Sequence, residues 1–285
     1  MNIKTLIIRT LSGAVYVALI VFAILMQNSF IFAAVFGALS ALTTYEFHKL
    51  TNRQENVDVL AWMGAVCSFL MFVTVFLLYS NSGLIHTDYF YAIVIVFFYI
   101  FSFFAASITE IFRKKQNPLH NIAYFIFGQI YIALPFVFFT AIIFLFSPLF
   151  LLSLFVIIWI NDTFAYLIGS WIGKHRLFER ISPKKSWEGF IGGLAGTLIV
   201  VYFLQRFLPD KIFDGYVLDT WQWLVFTAVI ILFGTLGDLF ESLIKRTVGV
   251  KDSGNIMPGH GGFLDRLDSV MFAAMPALLF LLLVL

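Results

Sequence analysis

Cysteine and charge are both scarce in this chain. A single cysteine, Cys67, excludes an intramolecular disulfide framework. Charged residues make up 12% of the 285 positions, where a soluble domain carries roughly 25%. The net charge of +2 is too small to point to a nucleic-acid partner. Five histidines, at 48, 86, 120, 175 and 260, are scattered and do not suggest zinc. What is abundant is apolar: 61% of residues are hydrophobic, 36 are Phe, and the mean hydropathy is +0.96. No water-soluble fold of this size hides that much apolar surface. An all-α, polytopic integral membrane protein is expected.

A bilayer crossing needs roughly 17–25 mostly apolar helical residues. Nine stretches qualify: 10–26, 30–47, 59–79, 90–111, 122–145, 149–172, 187–205, 221–237 and 269–285. The fifth and sixth are divided at Ser147-Pro148, and Pro135 is tolerated inside a span. The first is not expected to be a cleaved signal peptide, because it lacks a small-residue cleavage site and more spans follow. Alternating connections put 16 of the 18 basic residues on one side. The positive-inside rule then places the N-terminus and the large polar loops in the cytoplasm and the C-terminus outside. A hydrophobic half, 1–148, precedes a chemically richer half, 149–285, and 11 of the 16 acids lie from Trp159 onward.

Four polar clusters interrupt or flank the last four spans. Asn161-Asp162-Thr163 puts an acid at membrane depth, where it is expensive unless used; the alternative is a helix-end acid reaching the interface. In Ser182-Pro183-Lys184-Lys185-Ser186, Ser182 at an N-cap and Pro183 at the first helical position predict a helix start. Its free amides and two lysines suit an anion, although lysines alone also serve as topology anchors. Asp238, Glu241, Ser242 and Lys245 share one helical face. The last cluster runs Lys251-Asp252-Ser253-Gly254, Pro258-Gly259-His260-Gly261-Gly262, then Asp265-Arg266 and Asp268. Such a glycine-rich backbone can turn its N–H groups onto phosphate oxygens. Asp265 and Asp268, three apart on the last helix, suit Mg²⁺. His260 is open to two roles, a phosphate or catalytic contact or a hydrogen bond that stabilises the turn.

The run from Ser242 through Lys245-Arg246, Lys251-Asp252-Ser253 and Pro258-Gly-His-Gly-Gly262 to Asp265-Arg266-Leu-Asp268 closely resembles the C-terminal motif of the phosphatidate cytidylyltransferases, or CDP-diacylglycerol synthases. Asn161–Tyr166 and Ser182–Gly189 are similar to the family's upstream motifs. The resemblance implies that CTP and phosphatidic acid give CDP-diacylglycerol and pyrophosphate, with a divalent metal, Mg²⁺ or Mn²⁺, and room for a monovalent cation such as K⁺. By the same analogy Asp238 and Asp265 hold the metal, with Asp268 an alternative ligand. Lys184, Lys185, Lys245, Arg246, Lys251 and Arg266 would meet phosphates, with Lys245 and Arg266 acting at the reacting centre. Ser182, Asp252, Ser253 and His260 would contact substrate. Asn161 and Asp162 would serve either the cytidine or the cation site. Related enzymes suggest a homodimer in a cell membrane, with no nucleic-acid partner. Two other readings compete: a lipid-alcohol kinase using CTP, and a transporter with acids lining its path. The one-sided polar density speaks against transport.

Overall fold

The computed structural model describes residues 3–26, 28–80, 88–207, 215–259 and 261–285. His260 and Lys211 lie outside the described residues. The helices are α1 (Ile3–Leu25), α2 (Ser29–Thr51), α3 (Ala61–Ser80), α4 (Asp88–Arg113), α5 (Pro118–Gly128), α6 (Leu134–Leu145), α7 (Pro148–Ile172), α8 (Trp187–Leu204), α9 (Thr220–Thr247) and α10 (Leu264–Val284). A π-helical turn, Gln129–Ala133, joins α5 to α6. Among the described residues, nine helical stretches are long and apolar enough to cross a membrane, with α5, the π turn and α6 forming one of them. They match the nine expected stretches, with ends displaced by a few residues except for the eighth, expected over 221–237, whose helix runs on ten residues to Thr247. Many large apolar side chains face outward, such as Trp171 (85% exposed) and Phe112 (79%), which in water would be untenable but suits lipid.

The break at 147–148 is a helix cap. Ser147 accepts from the Leu149 amide at 3.4 Å, and Pro148, with no N–H to lose, opens α7. Pro135 lies just past the π turn, whose wider loop absorbs the hydrogen bond that proline cannot make. Two features depart from the expected pattern. The all-α class holds except for a small antiparallel hairpin, β1 (Arg176–Phe178) and β2 (Ser182–Ser186), with Arg176 opposite Ser186. Ser182 is therefore in a strand and caps no helix. Ser186 takes that role, accepting from the Gly189 amide at 3.1 Å, because pairing with β1 keeps 182–186 extended.

The chain divides into two compact units. The first is Met1–Thr140 with Thr247–Arg266. Its core is built from stacked and edge-on rings: Phe36 meets Phe32 at 4.4 Å, Phe139 at 6.1 Å and Phe136 at 6.3 Å. A polar staple ties three helix ends. Arg113 reaches Asp58 at 3.2 Å and Glu110 at 2.6 Å; Lys115 also pairs with Asp58; Asn121 donates to Glu110 at 2.9 Å and accepts from the Asp58 amide at 2.7 Å. The α2–α3 and α4–α5 connections, both basic, thus share one side. So do the start of α1 and the 257–261 turn, through Arg9 Nε donating to the Gly259 carbonyl at 2.7 Å.

The Lys115 hydrogen bond, helped by the Arg113 charge, holds the Asp58 carboxyl below its ordinary value of 3.8. Its folded form therefore binds protons less readily, so this contribution is present above pH 3.8 and lost as pH falls through the lowered value. The thermal midpoint of the wild type should exceed that of Asp58→Asn at pH 7, and the gap should close under strong acid. A gap independent of pH would contradict this.

The second unit is Ala141–Arg246 with Leu267–Leu285. Phe150, Trp223, Phe226 and Phe280 pack its core, with ring centres 5.4–6.3 Å apart. Helices α7 and α8 meet through small residues. A Cβ on Gly189 would lie 2.9 Å from the Ala165 carbonyl oxygen, and one on Gly193 would lie 2.7 Å from Asn161 Oδ1. Small residues at such spacing let membrane helices approach closely.

Candidate active site

In the second unit, α9 and α10 bring three acids together. A Cβ on Gly237 would meet Phe272 Cβ at 2.5 Å and the Asp268 carbonyl oxygen at 2.7 Å, so glycine is what lets the two helices close at this height. Asp238, Glu241 and Asp268 then offer ligand atoms within 4.8 Å of one another. Glu241 is 1% and Asp268 7% exposed. Lys185 pairs with Asp238, and Lys245 pairs with Glu241 one helical turn away. Ser242 Oγ donates to Asp238 Oδ1 at 3.3 Å, and Asp268 Oδ1 accepts from the Ser269 amide at 2.7 Å. Three carboxyl groups and two ammonium groups thus crowd into a low-dielectric place. Hard oxygen donors at this spacing fit a divalent cation such as Mg²⁺.

Beside the acids lies a cavity of 590 Å³, lined by residues of α7, the hairpin, α8, α9 and α10. Asn161, Asp162 and Tyr166 come from α7, Arg176 from β1, Lys184 and Lys185 from β2, and Asp238 from α9. Asn161 is 7% exposed, and its Oδ1 has no hydrogen-bond partner among the described residues. The hairpin is anchored by Glu188 in the first turn of α8. Its carboxylate accepts from the amides of Lys174 and His175 at 3.1–3.2 Å and meets His175 Nδ1 at 2.6 Å. Arg246 Nε donates to the Ile181 carbonyl at 3.3 Å. These contacts hold β2 where Lys185 reaches Asp238 and Lys184 lines the cavity. Ser182 lies in the hairpin outside the cavity wall.

The glycine-rich loop belongs to the first unit. Asp265 gathers it: its carboxylate accepts from the Ser253 amide at 3.0 Å, Ser253 Oγ at 2.9 Å and the Gly262 amide at 2.8 Å. Gly259 and Gly261 take φ of +75° and +88°, where side chains are rarely tolerated. Lys251, Asp252 and Arg266 are exposed, and the Arg266 carbonyl accepts from Tyr16 Oη at 3.3 Å. The chain turns two of the loop's amides onto its own Asp265, leaving the outer residues exposed.

The four sequence clusters therefore resolve into two groups, one in each unit. Asn161, Asp162, Lys184, Lys185 and Asp238 line one chamber; Lys251, Asp252, Ser253 and Asp265 build the loop. Four residues were not assigned roles from sequence: Glu46, Arg176, Glu188 and Glu241. Glu241 was visible on the helical stripe, while Glu46 was hidden in the hydrophobic half because its partner Leu264 lies 218 residues away. Arg176 and Glu188 carried no signal beyond charge, since their placement depends on the hairpin.

A model of the cytidylyltransferase family matches residues 7–284. Over 123 residues the chain is 48% identical to a protein of Staphylococcus saprophyticus, 49% to one of Staphylococcus haemolyticus and 50% to one of Staphylococcus aureus, each named phosphatidate cytidylyltransferase. The similar stretch covers 43% of this chain and 45% of each relative, so the chain spans about half the length of the curated relatives it matches. The family match is far longer and takes in the acid cluster, the cavity and the glycine-rich loop together. The chain belongs to the cytidylyltransferase family.

Proposed function

We propose that the chain transfers the cytidylyl group of CTP to phosphatidic acid, giving CDP-diacylglycerol and pyrophosphate. The observation that carries this reading is the chamber lined by Lys184, Lys185, Arg176 and Asp238, with Glu241 and Asp268 beside Asp238. Family membership and the name of the relatives point the same way. A phosphate oxygen of phosphatidic acid attacks the α-phosphorus of CTP, a new P–O bond forms, and the bond to the β-phosphate oxygen breaks to release pyrophosphate. The attacking oxygen is already anionic, so no strong base is required. The protein's task is in-line positioning and neutralisation of crowded charge.

Asp238 and Asp268, with Glu241 beside them, would hold a divalent ion. When bound, that ion supplies charge stabilisation at the transferring phosphoryl oxygens. Lys185 and Lys184 bind triphosphate oxygens, and Lys245 holds Glu241 in place. On the loop of the first unit Lys251 and Arg266 are exposed and available to phosphate oxygens, while Asp265 and Ser253 keep that loop folded. Asn161, with a buried acceptor in the chamber, takes a donor from the nucleotide. The polar ends of the helices lie at the cytoplasmic face, where CTP is available.

Pyrophosphate release from purified protein in detergent tests this reading. Release should require CTP, phosphatidic acid and Mg²⁺ together and should fail with diacylglycerol as acceptor. Release of CDP with diacylglycerol, without pyrophosphate, would replace it with a kinase reading.

A further inference from the structure

We propose that Glu46, contributed by α2, is a positioning residue for the glycine-rich loop and acts on nucleotide binding through it. Glu46 is 3% exposed, in the polar last part of α2 between Thr43, Thr44, His48 and Lys49. A carboxylate there is costly unless donors or a cation meet it. None of the ion pairs among the described residues involves it. What meets it is the loop: the Leu264 amide, 218 residues away in sequence, donates to Glu46 Oε2 at 3.1 Å. Leu264 opens α10, so the negative charge sits where the unpaired amides and dipole of a helix start favour it.

The loop is shaped around this carboxylate. A Cβ on Gly254 would lie 2.6 Å from Glu46 Oε1, and one on Gly262 would lie 2.6 Å from Oε2. Two glycines at opposite ends of the loop are thus explained by close approach to one side chain. Gly262 also donates its amide to Asp265, so Glu46 and Asp265 grip the same turn from two helices. Asp265 is local, three residues from Gly262. Together with Arg9 on the Gly259 carbonyl and Tyr16 on the Arg266 carbonyl, Glu46 fixes the loop and the start of α10 to the rest of its unit.

The kinetic part of this inference rests on the proposed cytidylyltransferase reading; the structural part does not. The test compares full-length wild type, Glu46→Ala, Glu46→Gln and Gly254→Ala in detergent, by amide hydrogen exchange and by turnover. Glu46→Ala should speed exchange across residues 253–264 about tenfold, with exchange in α3 unchanged, and should raise the apparent KM for CTP about tenfold. Glu46→Gln keeps an acceptor oxygen for Leu264 and should fall between the two. Gly254→Ala, which sets a methyl against the same carboxylate, should loosen the same segment. If Glu46→Ala does not fold, Glu46→Gln and Gly254→Ala decide the matter. Unchanged loop exchange in the folded variants, or exchange rising equally in α3, would overturn the proposal. If the wild type turned over no CTP, the functional reading would fail while the exchange result still judged Glu46.

Discussion

Asp238→Asn and Asp268→Asn should each lower cytidylyl transfer by about 10³-fold while leaving the protein folded. The two acids, with Glu241, bring ligand atoms within 4.8 Å of one another, and Lys185 and Lys245 pair with that cluster. An amide in place of one carboxylate keeps the shape and removes the charge that, on the proposed reading, would hold a divalent ion. Mn²⁺ binding followed by electron paramagnetic resonance separates this from a general loss of structure. Both variants should lose tight Mn²⁺ binding, whereas Asp265→Asn should keep most of it, because that carboxylate is engaged by Ser253 and Gly262. Near-normal turnover in both Asp238→Asn and Asp268→Asn would sink the metal assignment. Loss of Mn²⁺ binding only in Asp265→Asn would move the metal to the loop.

Lys185→Ala should reduce kcat/KM for CTP by about 10²-fold, with Lys184→Ala milder. Lys185 is half-buried, pairs with Asp238 and lines the chamber, so its removal both loses a phosphate contact and leaves Asp238 without that partner. Lys184 is exposed and can be replaced in part by solvent. If the two lysines served only to orient the membrane helices, the double variant would keep its CTP dependence and change topology instead. Steady-state kinetics with CTP varied at fixed phosphatidic acid reads the difference.

The spans were legible because hydropathy over 20 residues does not depend on neighbours. The stripe of Asp238, Glu241, Ser242 and Lys245 was legible for a similar reason, since helical spacing is local. What remained hidden depends on contacts distant in sequence. Ser182 reads as an N-cap until β1 pairs with 182–186, and the cap then passes to Ser186. Spacing suggested Asp265 beside Asp268, but only the folded loop reveals that Asp265 accepts from Ser253 and Gly262. Glu46 looked like part of a plain hydrophobic half, because its partner Leu264 lies 218 residues away. The π turn escaped notice because Pro135 is compatible with a straight, a kinked or a bulged span.

The most direct test of the central claim follows two labels with phosphatidic acid and Mg²⁺ present: CTP carrying ³²P at the α-phosphorus, and CTP carrying it at the γ-phosphorus. The account predicts α-label in a new lipid that forms only with phosphatidic acid and is abolished by EDTA, with γ-label recovered in pyrophosphate. Label from the γ-position in lipid, or no label in lipid from an intact and correctly folded protein, would contradict it.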